Sequence, residues 1–254
     1  MTETILQQLR QTETTHNIRV LYACESGSRA WGFASTDSDY DVRFIYTRPE
    51  ENYLSMVDKP DFIELPVDKE LDINGWDIRK ALRLFLTSNP PLYEWLQSPV
   101  VYACNQAFTE ELKVLMPAYY SLRAGAHHYL SMTRKMVDLQ LSGQHVRIKK
   151  YFYALRTALA ACWIVQKQAL PPMQFGDLRT LVADLSWQKQ VDQLLEIKNR
   201  SDEKTMIEAV PLLDQWLASA IEEGTGKATV LPAEKQDHKN LDILFRKWIR
   251  HHDF

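Results

Sequence analysis

At 254 residues, 45% apolar and 25% charged, the chain has the make-up of a globular protein, as one large domain or two small ones. Its net charge of −3 excludes a global attraction to nucleic acid, so any such contact must come from a local basic patch. No apolar run approaches the ~20 residues that cross a bilayer, and the start Met1-Thr2-Glu3-Thr4-Ile5 has no signal-peptide core, so a cytoplasmic protein without membrane contact is expected. Cys24, Cys104 and Cys162 lie far apart without metal-ligand spacing and are expected to be reduced core thiols.

The elements follow from periodicity. Ile5, Leu6 and Leu9 repeat at helical spacing, which predicts a helix to about Thr12 with Thr2 or Thr4 as its cap. Ile18 to Cys24 is an apolar run of strand length. A Gly27-Ser28 turn leads to a short helix from Ser28 to Phe33 and then to an acidic loop. Val42 to Tyr46 is the second strand, ended by Arg48-Pro49. Glu50 to Lys59 reads as helical or irregular, and Phe62 to Pro66 as a third strand. In Glu70 to Trp76, Leu71 and Ile73 alternate with Asp72 and Asn74, the mark of a further strand. Ile78, Ala81, Leu82, Phe85 and Leu86 then recur at helical spacing until Asn89-Pro90-Pro91 breaks the pattern, before a short helix from Leu92 to Gln97.

Residues 1–115 therefore form an α/β domain and 116–254 a second domain, nearly all helix. Its helices are expected over Pro117 to Ser142, His145 to Gln168, Gly176 to Leu185, Trp187 to Asn199, Glu203 to Gly224 and Asp237 to His251. The main breaks are expected at Pro171-Pro172 and Gly224-Thr225-Gly226, and His251-His252 as a loose tail.

The chemistry concentrates between the first two strands. Side chains of a strand alternate between faces, so Asp39 and Asp41 put two carboxylates side by side, about 7 Å apart at the backbone. Like charges so placed call for a neutralising cation, and hard divalent ions such as Mg²⁺ keep positions open for phosphate oxygens. Gly27 permits a tight turn and close backbone approach, and Ser28 adds a hydroxyl donor at the start of a helix. Two rival motifs fail on position. An EF-hand loop needs Gly where Val42 stands and Glu where Arg48 stands. An aspartyl-nucleophile phosphatase carries its acids after the strand, whereas here they precede it.

Gly27-Ser28, ten residues and Asp39-Tyr40-Asp41-Val42 together resemble the signature of DNA polymerase β-type nucleotidyltransferases. Gly27-Ser28-Arg29-Ala30-Trp31-Gly32, Ser38 to Arg43, Trp76-Asp77-Ile78-Arg79-Lys80, Asn89-Pro90, Glu94-Trp95-Leu96 and Ser98-Pro99 are similar to the RlaP branch, named for RNA repair pathways. The resemblance implies an α+β fold: a minimal nucleotidyltransferase domain with a mixed sheet and flanking helices, followed by an all-helical HEPN-like domain. It implies Mg²⁺ or Mn²⁺ held by Asp39, Asp41 and a third acid on a neighbouring strand, for which Asp72 is the candidate. Asp77 competes, but it stands where a helix begins and suits a cap. The substrate implied is an NTP, with Gly27, Ser28 and Arg29 at its phosphates and an RNA 3′ end among the acceptors.

In the helical half, Ile148, Phe152, Leu155, Leu159 and Cys162 form a core stripe. Lys149, Tyr153 and Arg156 lie on an adjoining face at i, i+4 and i+7. A cationic face beside an aromatic ring suits an NTP or RNA, and equally suits plain solvation. Lys149-Lys150-Tyr151 and Arg156 also resemble the family. Adjacent His127 and His128 point about 100° apart on a helix and make a poor ligand pair. The expected activity is metal-dependent transfer of a nucleoside monophosphate from an NTP to a hydroxyl. The alternative is a non-catalytic nucleotide- or RNA-binding regulatory module.

Overall fold

A computed structural model describes residues 1–66, 70–233 and 236–250; His251 and His252 lie outside the described residues. In chain order, α1 (Thr2–His16), β1 (Arg19–Glu25) and α2 (Gly27–Trp31) lead to β2 (Tyr40–Thr47), α3 (Glu50–Tyr53), β3 (Phe62–Glu64) and β4 (Leu71–Asp77). Then come α4 (Ile78–Leu86), α5 (Pro90–Trp95), β5 (Val101–Cys104), α6 (Gln106–Tyr119) and α7 (Leu122–Gln140). The rest comprises β6 (His145–Arg147), α8 (Ile148–Lys167), α9 (Phe175–Leu178), α10 (Leu185–Arg200), β7 (Met206–Glu208), α11 (Pro211–Thr229) and α12 (Lys239–Arg250).

These elements form two compact units. The first holds Met1–Gly27, Asp39–Tyr120 and the described residues of Lys235–Phe254; the second holds Ser28–Ser38 and the described residues of Ser121–Glu234. A single cut after residue 115 therefore does not describe the packing. The chain changes unit between Gly27 and Ser28, returns between Ser38 and Asp39, and sends its last helix back to the first unit.

The first unit is built on a five-stranded sheet of order β3-β4-β2-β1-β5. Among the described residues of this sheet only β2 and β4 run parallel; the other pairs are antiparallel, so the sheet is mixed as expected. Helix α1 packs Ile5 and Leu9 in one buried cluster with Ile18, just before β1, and with Ala23, Val42, Phe44, Tyr46 and Ile73 of the sheet. It runs four residues past Thr12, ends on Asn17 in the left-handed region, and begins without a side-chain cap, so neither Thr2 nor Thr4 caps it. Asn89 caps α5 by accepting from the Leu92 N–H, and Pro90 opens that helix rather than ending its predecessor. Strand β5 is an element the apolar pattern did not reveal. It is four residues long, borders the sheet and leaves Val101 and Cys104 exposed, so Cys104 is a surface thiol rather than a core one. Helix α12 supplies Trp248, edge-on to Phe108, and Phe245, edge-on to Tyr53.

The second unit centres on α8, which α7 and α11 flank. Ile148, Phe152, Leu155 and Leu159 are buried as predicted, but so are Tyr151, Ala154, Arg156 and Ala158 on the other sides. The unit is not all helix: β6 and β7 pair as an antiparallel ribbon. Gly224 does not end a helix but lies inside α11. A Cβ there would come within 2.8 Å of Leu130 Cδ2 on α7, so the glycine serves close helix contact. The segment Ser28–Ser38 is embedded in this unit. Phe33 is fully buried, stacked on Phe152 at 5.3 Å and edge-on to Phe175 at 5.7 Å.

Candidate active site

In the first unit the parallel strands β2 and β4 bring acids together. Because β2 and β4 are parallel and in register, Asp41 stands directly beside Asp72. Side chains of directly paired residues share a face. Arg43, two residues on from Asp41, projects to that same face. Its Nη2 donates to Asp41 Oδ1 at 3.0 Å and to Asp72 Oδ2 at 2.7 Å, and its Nη1 donates to the Asp72 carbonyl at 3.0 Å. The three side chains are between 16% and 29% exposed, so the cluster opens to solvent. Asp39 is placed differently from expectation. The strand starts at Tyr40, leaving Asp39 exposed and one residue outside the ladder.

Gly27 closes the other side of Asp41. Its φ is +61°, and a Cβ there would lie 1.9 Å from Asp41 Oδ2. The turn thus requires glycine twice over, for its left-handed backbone and for the carboxylate pressed against it. Around the turn, the Ser26 N–H donates to the Asp41 carbonyl at 2.8 Å, and the Asp41 N–H donates to Glu25 Oε1 at 2.8 Å. Glu25 is buried, and the Tyr102 hydroxyl of β5 donates to its other oxygen. The Ser98 hydroxyl donates to the Glu25 carbonyl at 2.6 Å. Ser98-Pro99 therefore buttresses the strand end that carries the glycine turn.

Asp77 lies at the opposite end of β4 from Asp72. It caps α4, accepting from the Arg79 N–H at 2.8 Å, and accepts from the Tyr53 hydroxyl at 2.9 Å. Burial is the main cause that raises its carboxyl above the ordinary carboxylate range. Of the two competing acids, it is Asp72 that stands next to Asp41.

The remaining predicted residues belong to the second unit. Ser28 is buried, and its hydroxyl bonds to Ser38 Oγ at 3.1 Å. Arg29 donates to the Ser38 carbonyl through Nε and Nη2, at 3.1 and 2.7 Å. Both side chains thus tie down the loop that ends at Ser38. Lys149 is ion-paired with Glu203. Arg156 is only 3% exposed; it donates to the Met173 carbonyl and lies 4.3 Å over the Trp31 ring. Tyr153 meets the same ring edge-on at 5.0 Å. The expected open cationic face is therefore a packed one: the Arg156 guanidinium serves a carbonyl and an aromatic ring inside the unit. A second buried cation, Lys198, donates to Ser35 Oγ at 2.6 Å, and burial lowers its pKa.

Sequence reasoning passed over Arg43, Glu25 and Tyr102. Arg43 was legible from the strand alternation that relates Asp39 to Asp41, because i+2 lies on the same face. Tyr102 was not, since it sits on the edge strand that the pattern concealed.

As a metal site, the donor set fits in kind. Asp41 and Asp72 offer hard oxygen donors and already hold a cation, the Arg43 guanidinium, between them. Among the described residues no group of three His, Cys, Asp or Glu side chains stands together ready to hold a metal ion.

A family model described as "RNA repair pathway DNA polymerase beta family", RlaP, matches residues 1–247. The chain belongs to the RlaP family. A relative is a Bacillus subtilis (strain 168) protein named "Uncharacterized protein YcgL", 44% identical over 240 residues that cover 93% of this chain and 92% of that one. Among solved structures, a nucleotidyltransferase-like protein from Exiguobacterium sibiricum 255-15 is similar at 13% identity and a TM-score of 0.33, over 96% of this chain and 80% of that one. Among the described residues, no helix of this RlaP family member is long and apolar enough to cross a membrane.

Proposed function

We propose that the protein is a nucleotidyltransferase that moves a nucleoside monophosphate from an NTP to a hydroxyl acceptor and releases pyrophosphate. One observation carries this reading: in an RlaP-family chain, Asp41 and Asp72 are register partners on parallel strands, with the Gly27 turn packed against Asp41. Asp39, Asp41 and Asp72 would hold the divalent cation, Mg²⁺ or Mn²⁺, whose chemistry is to neutralise the triphosphate. The acceptor oxygen forms a bond to the α-phosphorus while the bond from that phosphorus to the α,β-bridging oxygen breaks. The Asp72 carboxylate takes the acceptor proton. The backbone at Gly27, free of a side chain, is where the phosphates approach. Glu25 and Tyr102 keep Asp41 in place through its N–H. An RNA 3′ end is the acceptor favoured by the family's description, and a HEPN-like role for the helical unit belongs to the same proposal.

The test is incubation with each α-labelled NTP, Mg²⁺ or Mn²⁺ and a pool of short RNAs, with Asp41→Asn/Asp72→Asn alongside. Label on RNA with the wild type alone supports the reading, and label on protein moves the acceptor to a protein hydroxyl. Equal labelling by the double variant overturns the assignment of the acids. Nucleotide binding without transfer would favour a regulatory module, a reading that the Arg43 guanidinium held by both carboxylates supports on its own account.

A further inference from the structure

At the far end of the same parallel strands lies a second cleft, wholly within the first unit. Asp41 and Thr47 stand at opposite ends of β2, so the two sites are about 20 Å apart along the strand. The cleft has a volume of about 160 Å³ and is lined by Arg48, Lys59, Arg79, Lys80 and Arg83, together with Asp58, Asp61 and Asp77. Five cations thus face three carboxylates, and the carboxylates do not cancel them. Asp77 is buried, and its negative form is disfavoured by that burial. Asp58 is almost fully exposed and reaches Arg79 only at 4.0 Å. Asp61 engages Lys80 at 3.0 Å. Lys59 and Arg83 are exposed, and their side chains make no hydrogen bond or ion pair among the described residues.

A second observation is independent of this excess charge. Arg48 Nε is buried and has no hydrogen-bond partner among the described residues. The Asp77 Oδ2 oxygen is 3.8 Å away, too far to accept from it. The other arm of the guanidinium is engaged, with Nη2 donating to the Tyr46 hydroxyl and the Pro60 carbonyl. A buried N–H left without an acceptor is costly, and an anion's oxygen in the cleft would satisfy it.

We propose that this cleft binds a phosphate group of a soluble ligand. The cavity is smaller than the ~300–1,000 Å³ of sites that enclose a whole small molecule, so it fits a phosphate rather than an entire nucleotide. Two sources share that chemistry: a free polyphosphate and a phosphodiester strand. For the strand, Phe62 offers a half-exposed ring with the Lys80 ammonium 5.1 Å over it, an aromatic surface next to a cation that suits a base next to its phosphate.

The test measures binding of pyrophosphate and of a ten-nucleotide single-stranded RNA to the full chain. The wild type is compared with Lys59→Ala/Arg83→Ala, whose altered side chains make no hydrogen bond or ion pair among the described residues, and with Asp58→Asn/Asp61→Asn. All are made in the Asp41→Asn/Asp72→Asn background as well, so that binding at the candidate active site is told apart. The expected result is an affinity for at least one probe that falls about tenfold or more in Lys59→Ala/Arg83→Ala. That affinity rises in Asp58→Asn/Asp61→Asn and persists in the active-site background. Loss confined to pyrophosphate identifies a free polyphosphate; loss of RNA binding with a steep salt dependence identifies the strand. Absence of binding of either probe, or equal binding by wild type and Lys59→Ala/Arg83→Ala, overturns the proposal.

Discussion

Arg43 and Gly27 act on the same carboxylate from two sides. Arg43 is the internal counter-ion of Asp41 and Asp72, and without it two carboxylates in register face each other across parallel strands. Arg43→Gln is expected to lower stability by about 1–2 kcal/mol, between the values for exposed and buried ion pairs. Added Mg²⁺ should recover more of the melting temperature in this variant than in the wild type, because the pair then lacks its own cation. Thermal unfolding with and without MgCl₂ checks this; equal Mg²⁺ responses would show that Arg43 is not the pair's counter-ion. Gly27→Ala meets both a positive φ and an oxygen at 1.9 Å. The strained backbone alone should cost about 1–3 kcal/mol, and the displaced Asp41 should cost activity beyond that. Denaturant titration together with an NTP-transfer assay separates the two losses. A fully active, fully stable Gly27→Ala protein would remove the turn from the site.

At the scale of elements, Asp77 shows how a residue rejected for one role reveals another. It caps α4 from a buried position, and its carboxyl is raised above the ordinary range chiefly by that burial. The folded state therefore keeps this proton to a higher pH than the unfolded chain. Stability from it is complete below the unfolded value, near 3.8, and is lost as pH rises through the folded value. Asp77→Asn retains an oxygen for the Arg79 N–H but cannot ionise. Between about pH 4 and neutrality, the wild type should lose stability relative to Asp77→Asn, as urea unfolding across that range would show; an opposite trend would mean that the Arg48 and Arg79 charges outweigh burial. Asp77→Ala should cost about 0.5–2 kcal/mol at any pH through loss of the cap.

What was legible in the sequence follows the same physics. Strands β1, β2 and β4 are buried enough to write themselves as apolar runs or clean alternation, and α4 places its buried residues at helical spacing. Strand β5 and the β6–β7 ribbon are too short and too exposed to leave a pattern. The pairing of Asp41 with Asp72 was accessible only through the family resemblance, because a parallel register joins residues distant in sequence. The burial of Arg156 was hidden for a different reason. A cation at a helical interval from Lys149 looks solvated until Trp31 and the Met173 carbonyl are placed around it.

For the whole molecule, the way the chain divides has consequences that a cut near residue 115 would not. The helical unit holds Trp31 and Phe33 from a segment some ninety residues before its main body, which begins at Ser121. Phe33 is fully buried there among Phe152 and Phe175. Deleting a buried aromatic costs about 3–5 kcal/mol, a large share of a domain's net stability. A fragment of residues 121–233, lacking that segment, should therefore keep much of its helix by far-ultraviolet circular dichroism but lose cooperative unfolding. Phe33→Ala in the full chain should lower the stability of the helical unit by the same few kcal/mol. The first unit has the complementary dependence on its last helix. Residues 1–120 leave Phe108 without Trp248, Tyr53 without Phe245 and Glu111 without Lys247. Ending the chain at 233 should destabilise the sheet unit while sparing the helical one, and hydrogen exchange resolved by residue would locate the loss in α3, α4 and α6. Uniform protection in the shortened chain would show that α12 is dispensable to the unit it packs on.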